Sequence, residues 1–112
     1  MGGRKRYIDR ELPLTALRLA EAIIRDYPRR HHVIKYSASE DANVLTRFKD
    51  INDIIDEIVA DFDPRFSKII LNDIIEHRGY DISFASSFSS RNTYYLHRKK
   101  LLQDVCKALH II

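Results

Sequence analysis

The strongest constraint on the fold is a broad apolar stripe in the middle of the chain. Its residues follow one another at alternating steps of four and three, which places them on one face of an α-helix. The stripe consists of Val44, Phe48, Ile51, Ile55, Ile58 and Phe62, and it is widened by Leu45, Ile54 and Val59. Because one neighbour cannot cover so wide a face, this helix is expected to pack against more than one partner, in the core or at a dimer seam.

Helix is the expected structure throughout the chain. Only three glycines and three prolines interrupt the 112 residues, and no alternation of apolar and polar side chains persists. The sequence therefore predicts an all-α fold, a compact helical domain of about five helices spanning residues 1–112. Residues 1–62 would form the N-terminal helices and offer a dimer interface. Residues 63–112 would form a C-terminal helix-turn-helix that binds DNA.

Capping residues and prolines set the expected helix boundaries. Ser37 and Glu40 have the spacing of a capping box, which predicts a helix start just before the stripe. Asp63-Pro64 is typical of an N-cap followed by the first helical residue, and Gly79 is expected to end that helix. The other predicted helices are 12–26, a shorter segment 29–36, a short helix 82–88, and a long helix that Ser89 or Ser90 caps and that reaches about residue 110.

The same helical spacing predicts which side chains form the core. On the last helix the inner face is expected to hold Tyr95, Leu102, Val105, Cys106 and Leu109. The predicted core consists of Phe48, Ile51, Ile55, Ile58, Phe62, Phe66, Ile70, Ile74, Phe84, Tyr95 and Leu102. Cys106 is the only cysteine, so an intramolecular disulfide is excluded and a buried, inert thiol is expected.

Charge is segregated along the chain although the net charge is only +3. Residues 1–35 carry +5, residues 36–63 carry −6 and residues 64–112 carry +4. Basic outer segments around an acidic middle are typical of a protein that contacts a polyanion with one part only. No apolar run is long enough to span a bilayer, and no signal-peptide core follows Arg4, so we expect a cytoplasmic protein with no membrane partner.

Residues 80–102 have the pattern of a helix-turn-helix. Such a motif needs a short first helix with a small residue where the two helices cross. It also needs a tight turn, and a second helix with one apolar and one polar face. Ala85 is the small residue, Phe84 and Phe88 would anchor the first helix, and Tyr95 and Leu102 would anchor the second. This segment is therefore expected to bind double-stranded DNA.

Contacts with DNA are expected along the second helix of this motif. The N-terminal half of a recognition helix approaches base edges, where Asn92 suits adenine, Arg91 suits guanine, and Thr93 or Leu96 can contact a thymine methyl. The basic run 97–100 suits phosphates, as do the serine hydroxyls at the helix N-terminus. The predicted DNA-binding residues are Ser89, Ser90, Arg91, Asn92, Thr93, Leu96, His97, Arg98, Lys99 and Lys100.

Several segments together suggest a family. They are Asp-Pro-Arg-Phe at 63–66 with the helix after it, Ser-Ser-Arg-Asn-Thr-Tyr-Tyr at 89–95, His-Arg-Lys-Lys-Leu-Leu at 97–102, and Arg-Asp-Tyr-Pro-Arg-Arg at 25–30. Residues 53–112 resemble the sigma-factor region-4-like domain of phage transcription regulators of the ArpU and RinA type, and residues 25–30 resemble the N-terminal segment of that group. The chain departs from that group where Ser83 and Ser86 replace acidic or helix-forming residues. The resemblance implies a phage or prophage regulator of late or structural genes that acts at the bacterial nucleoid and can contact RNA polymerase.

Other chemistries have little support. His31 and His32 are adjacent and therefore point to different helix faces, so they make a poor metal site. The carboxylates at 50, 53, 56 and 57 lie opposite the apolar stripe, where a solvated acidic face is usual. No glycine-rich phosphate loop and no nucleophile-elbow pattern is present. We therefore expect no enzymatic activity, no cofactor and no metal.

Two other functions stay open at this point. A DNA-packaging adaptor, such as a small terminase subunit, can also use a helix-turn-helix, but it works as a ring. A protein-interaction module, such as an anti-sigma-like partner, could instead set the basic helix against an acidic protein surface. A homodimer joined through residues 1–62 is expected for the regulator, because one recognition helix contacts few base pairs.

Overall fold

The computed structural model describes residues 13–37 and 41–111, and within these ranges the fold is all-α, as predicted. Its α-helices are α1 (Leu14–Arg25), α2 (Tyr27–Tyr36), α3 (Ala42–Asp61), α4 (Pro64–Ile75) and α5 (Arg91–Ala108). Two short 3-10 turns, Tyr80–Ile82 and Phe84–Ser87, connect α4 to α5. In the described ranges, no helix has both the length and the apolarity that crossing a membrane requires.

Local capping accounts for the starts of α3 and α4, of which the second was predicted correctly and the first was not. The Asp63 carboxylate accepts a hydrogen bond from the Phe66 N–H at 3.4 Å, and α4 begins at the following proline, which confirms the predicted start. The capping box at Ser37 was a wrong prediction. Ser37 follows the end of α2, and α3 is capped instead by Asp41, which accepts from the Asn43 N–H at 2.7 Å. Glu40 lies outside the described residues.

The end of α4 also differs from the prediction, which placed it at Gly79. The helix ends at Ile75, and His77 takes the left-handed conformation with φ 58°. The Arg78 N–H then donates to the Asp73 carbonyl at 2.7 Å, the hydrogen-bond pattern of a Schellman end. Gly79 instead leaves room for the Tyr95 side chain, because a Cβ at position 79 would lie only 3.2 Å from the Tyr95 hydroxyl oxygen.

Most of the wide apolar stripe of α3 is covered within the chain. Helices α2, α4 and α5 all pack against α3, so the expectation of more than one neighbour is confirmed. Ile55 is fully buried, and Ile51 and Ile58 pack half-buried against the core. Phe48 is half-buried, with the Arg29 guanidinium 5.2 Å from its ring centroid. The stripe is therefore used for packing within the chain.

The core joins the beginning and the end of the described chain. Helix α1 packs on α5, and the Cys106 thiol donates to the Ala16 carbonyl at 3.3 Å, which confirms a buried thiol. The buried hydrophobic side chains are Ala16, Ala20, Ile24, Ile55, Phe66, Ile70, Leu71, Ile74, Ala85, Tyr94, Leu101, Leu102, Val105 and Cys106. The core includes one face of α1, formed by Ala16, Ala20 and Ile24, which the predicted core did not contain.

Three residues of the predicted core lie at the surface. Phe62 is 39% exposed because it follows the last residue of α3 with extended backbone, so helical spacing no longer sets its direction. Phe84 is 72% exposed because it belongs to a 3-10 turn, not to an α-helix. Tyr95 is 41% exposed because its neighbour Tyr94 takes the inward position on α5. These placements bring aromatic side chains to the surface around α5.

A buried arginine fixes α2 against its neighbours. Arg30 is only 3% exposed, and its Nε donates to the Asn52 Oδ1 at 2.8 Å while Nη2 donates to the Ile23 carbonyl at 2.6 Å. Asn52 in turn donates through Nδ2 to the Tyr27 carbonyl at 3.3 Å. Because each polar group in this cluster has a partner, the charge can stay buried at the junction of α1, α2 and α3.

Candidate DNA interface on the last helix

The start of α5 is capped as the sequence predicts. Ser90 is the N-cap, and its Oγ accepts a hydrogen bond from the Thr93 N–H at 3.1 Å. Ser89 lies one residue earlier. Its Oγ donates to the Ala85 carbonyl at 2.8 Å, and its own carbonyl accepts from the Tyr80 hydroxyl at 2.6 Å. These bonds tie the helix start to the 3-10 turns before it.

The segment before this cap is not the predicted α-helix over 82–88. Serine side chains there bond to nearby backbone, which competes with α-helical hydrogen bonding. Ser83 Oγ accepts from the Ala85 N–H at 3.0 Å, Ser86 Oγ donates to the Ser83 carbonyl at 2.9 Å, and Ser87 Oγ donates to the Phe84 carbonyl at 2.9 Å. The result is two short 3-10 turns, with Ala85 fully buried between α4 and α5.

The rotation of α5 differs from the predicted rotation. Tyr94 is fully buried and Tyr95 is not, so the prediction of Tyr95 as an inner residue was wrong. Leu102, Val105 and Cys106 are buried as predicted, and Leu109 is half-buried against the core. Leu101 also faces inward. Because Leu102, Val105 and Cys106 face inward in both cases, the two rotations differ by much less than the roughly 100° between successive residues.

A polar network anchors Tyr94 inside the protein. Its hydroxyl donates to the buried Asp73 carboxylate at 2.8 Å, and the Arg78 Nε donates to the other carboxylate oxygen at 3.0 Å. Arg98 Nη1 donates both to the Tyr94 hydroxyl at 2.9 Å and to the Arg78 carbonyl at 2.7 Å. Burial, together with the hydrogen bond to Asp73, raises the pKa of Tyr94 to about 12.

The same network includes Arg98, which was predicted to contact phosphates. The Arg98 side chain is half-buried, and it bonds to groups of its own chain. Its guanidinium therefore holds α5 against the end of α4. Helical spacing is consistent with this position, because Arg98 lies three residues after Tyr95 and four before Leu102 on the helix.

The outer face of α5 is polar and basic. Lys99 is exposed and forms no hydrogen bond or ion pair with the residues that the structure describes. Lys100 pairs with Asp104 at 3.1 Å, and its Nζ lies 5.0 Å from the Phe62 ring centroid. The predicted contact residues that are exposed on this helix are Arg91, Asn92, Thr93, Leu96, Lys99 and Lys100.

Arg91 and Asn92, the two candidates for contacting bases, differ in their surroundings. The Arg91 guanidinium forms an ion pair with Asp81 and lies 5.3 Å from the Tyr80 ring centroid. The hydrogen bond to Asp81 raises the pKa of Arg91. Asn92 is exposed in the first turn and forms no side-chain hydrogen bond with the described residues. Asn92 is therefore available to a ligand without breaking an existing contact.

A row of aromatic rings runs beside this face. The sequence pattern did not predict this row. The His97 ring stacks on Phe66 with centroids 4.4 Å apart, and it lies 4.9 Å from Phe62. Phe88 meets Phe66 edge-on at 5.7 Å, and Phe84 lies 6.1 Å from Phe88. The serine-rich stretch around these residues was the available signal, since it disfavours the α-helix that would have turned Phe84 inward.

In the parts of the chain that the structure describes, no cluster of three or more histidine, cysteine, aspartate or glutamate side chains could hold a metal ion. Comparison of the chain with models of known families, with curated protein sequences and with solved structures gives no significant match.

Proposed function

We propose that this protein is a sequence-specific double-stranded DNA-binding transcriptional regulator that uses α5 as its recognition helix. The supporting observation is the two-sided character of α5. One face is anchored in the core through Tyr94, Leu102 and Val105, and the other presents polar and basic side chains from Arg91 to Lys100 to solvent. A recognition helix needs one face that is packed rigidly in the core and an opposite polar face that is exposed to DNA.

Selection of bound duplexes from a random pool tests the proposal directly. Enrichment of one sequence supports sequence-specific binding, and enrichment of none, together with no binding of duplex at low salt, contradicts it. The symmetry of an enriched site also bears on the homodimer that we propose for residues 1–62, where α1 leaves Leu14 and Leu19 exposed. Action in the bacterial cytoplasm, phage or prophage origin and contact with RNA polymerase belong to the same proposal, and they rest on the resemblance in residues 53–112.

Replacing Lys99 and Lys100 together with alanine is expected to weaken binding to every duplex. Each lysine that neutralises a phosphate releases a counterion, so the slope of log affinity against log salt should fall by up to about two units. Fluorescence anisotropy at several salt concentrations measures this slope. The matched control is the double change Lys35→Ala and Lys49→Ala, which removes the same charge from α2 and α3. Equal losses in the two double variants would show that net charge, and not α5, determines binding.

Replacing Asn92 with alanine is expected to lower affinity for the selected site by about 1–3 kcal/mol and to relax preference at one or two base pairs. Affinity for random duplex should change little, because a side chain that contacts a base contributes mainly at the correct sequence. Asn72→Ala, an exposed change on α4, is the control. A similar loss on selected and random DNA would instead assign Asn92 to the phosphate backbone.

A further inference from the structure

An open pocket of about 760 Å³ lies beside the start of α5, between α4 and the second 3-10 turn. Its apolar lining comes from Phe66, Ile69, Phe84 and Phe88. Its polar lining comes from hydroxyl groups of the 3-10 turn and the first turn of α5, from Arg65, and from the Asp63 carboxylate that caps α4. The pocket thus adjoins the face that we propose for DNA.

Two of its aromatic rings are strongly exposed. Phe84 is 72% exposed and Phe88 is 55% exposed, and their centroids are 6.1 Å apart. Phenylalanine side chains are usually buried, and adjacent exposed ones commonly mark a binding surface. The backbone of the 3-10 turns, held by serine hydrogen bonds, fixes these rings on the outside. The two ring planes lie at 62° to each other, so a planar partner would stack on one ring and meet the other with its edge.

Two of the hydroxyl groups that line the pocket have a defined hydrogen-bond polarity, whereas the Thr93 hydroxyl accepts from Ser90 Oγ and keeps its own proton for a ligand. Ser87 Oγ donates its proton to the Phe84 carbonyl, and Ser89 Oγ donates its proton to the Ala85 carbonyl. A hydroxyl has one proton, so both oxygens can only accept from a ligand. They therefore suit a planar ligand that carries an amino group.

The pocket also has a cation at its edge. Arg65 is exposed, and it forms no ion pair with the residues that the structure describes. A guanidinium in this position suits a phosphate oxygen, which it can bind through two parallel N–H groups. Stacking rings beside a free cation are the combination that binds unpaired nucleotides.

We propose that this pocket binds one unpaired nucleobase of the DNA held by α5, with a preference for a base that carries an exocyclic amino group. This inference rests on the proposed function. The base would stack on the exposed ring of Phe84 and contact Phe88 with its edge. Its amino group would donate to Ser87 or Ser89, and Arg65 would contact the adjoining phosphate. The protein would then prefer duplexes that are locally open, such as bulged or melted sites.

The test compares short duplexes with the same flanking sequence at low salt. One is fully paired, and three carry a single bulge in the middle: cytosine, thymine or an abasic residue. The abasic bulge bends the duplex in the same way but offers no base to stack. Stacking on aromatic side chains predicts that the cytosine bulge binds roughly 5- to 150-fold more tightly than the abasic bulge. Thymine, which presents O4 where cytosine has an amino group, should gain less than cytosine.

Phe84→Ser is expected to remove the preference for a bulged base and leave affinity for the paired duplex unchanged. Because Phe84 is mostly exposed, the variant should keep the thermal unfolding curve of the wild type. Ile82→Ser is the matched control, because Ile82 is 69% exposed in the preceding turn but does not line this pocket. The control should keep both the bulge preference and the duplex affinity.

The outcomes separate this inference from the function on which it rests. If the wild type binds paired duplex but shows equal affinity for the cytosine and abasic bulges, the pocket proposal is wrong and the DNA-binding proposal stands. If no duplex binds, both are wrong. If the wild type sediments as a dimer and Phe84→Ser as a monomer, the exposed rings form a protein interface, which also overturns the base-binding proposal.

Discussion

Replacing Tyr94 with alanine is expected to lower the free energy of unfolding by about 3–5 kcal/mol, the usual cost of removing a fully buried aromatic side chain. The ring is 0% exposed, and its hydroxyl joins Asp73 to Arg98. Its loss would leave a cavity and a buried carboxylate that keeps only Arg78 as its side-chain partner. Urea unfolding followed by circular dichroism measures the change.

Tyr95→Ala is the matched control for this experiment. Tyr95 is 41% exposed, and its hydroxyl oxygen accepts one hydrogen bond from the Tyr80 N–H at 3.3 Å. We expect a cost of about 1 kcal/mol or less. A larger loss at Tyr95 than at Tyr94 would mean that α5 has the rotation expected from helical spacing.

Replacing Arg30 with alanine is expected to lower the free energy of unfolding by about 3 kcal/mol. The change leaves the Asn52 Oδ1 and the Ile23 carbonyl without their donor, and buried unsatisfied groups cost about 1–3 kcal/mol each. It also removes packed methylene groups between α1 and α3. Thermal or urea unfolding of the purified variant checks the size of the loss.

Arg29→Ala, one residue earlier, is the matched control. It separates the effect of losing a buried side chain from the effect of losing one positive charge. The Arg29 side chain is 58% exposed and pairs with Asp26 at 2.6 Å, and such surface pairs contribute about 0–1 kcal/mol. The two variants remove the same charge from the same helix. Similar losses at the two positions would show that the buried hydrogen bonds of Arg30 add nothing beyond an ordinary surface pair.

The fold could be predicted best where a short sequence determines its own structure. Asp63-Pro64 places a capping carboxylate and a residue with fixed φ next to each other, and α4 begins there as predicted. Leu102, Val105 and Cys106 were also assigned correctly to the core, because the apolar pattern is dense at that end of α5. In these two segments the local sequence alone was sufficient to predict the structure.

The prediction failed where two neighbouring residues could serve equally well. Tyr94 and Tyr95 are both large and apolar, so helical spacing alone does not decide which one faces inward. The choice depends on Asp73, which lies 21 residues earlier and accepts from the buried hydroxyl. A long-range hydrogen bond of this kind has no signature in the local pattern.

Only part of the candidate site could be predicted, because another part depends on hydrogen bonds that helical spacing does not show. The basic run of α5 and its serine cap are visible in the sequence, and the exposed positions of Asn92 and Lys99 follow from them. The aromatic pocket depends on the 3-10 geometry before Ser89, where side-chain hydrogen bonds outweigh the apolar spacing of Phe84 and Phe88. Propensity rules do not predict this competition.

The packing of α1 on α5 has a consequence for how the protein is made. During synthesis α1 leaves the ribosome first among the described helices, and α5 leaves last. Helix α1 also packs on α4, but at about 5–20 residues per second Ala16, Ala20 and Ile24 would wait on the order of several seconds for α5 to complete the surface that buries them. The nascent chain therefore exposes an apolar helix that a chaperone can bind, and folding is completed only when the last of these helices is released.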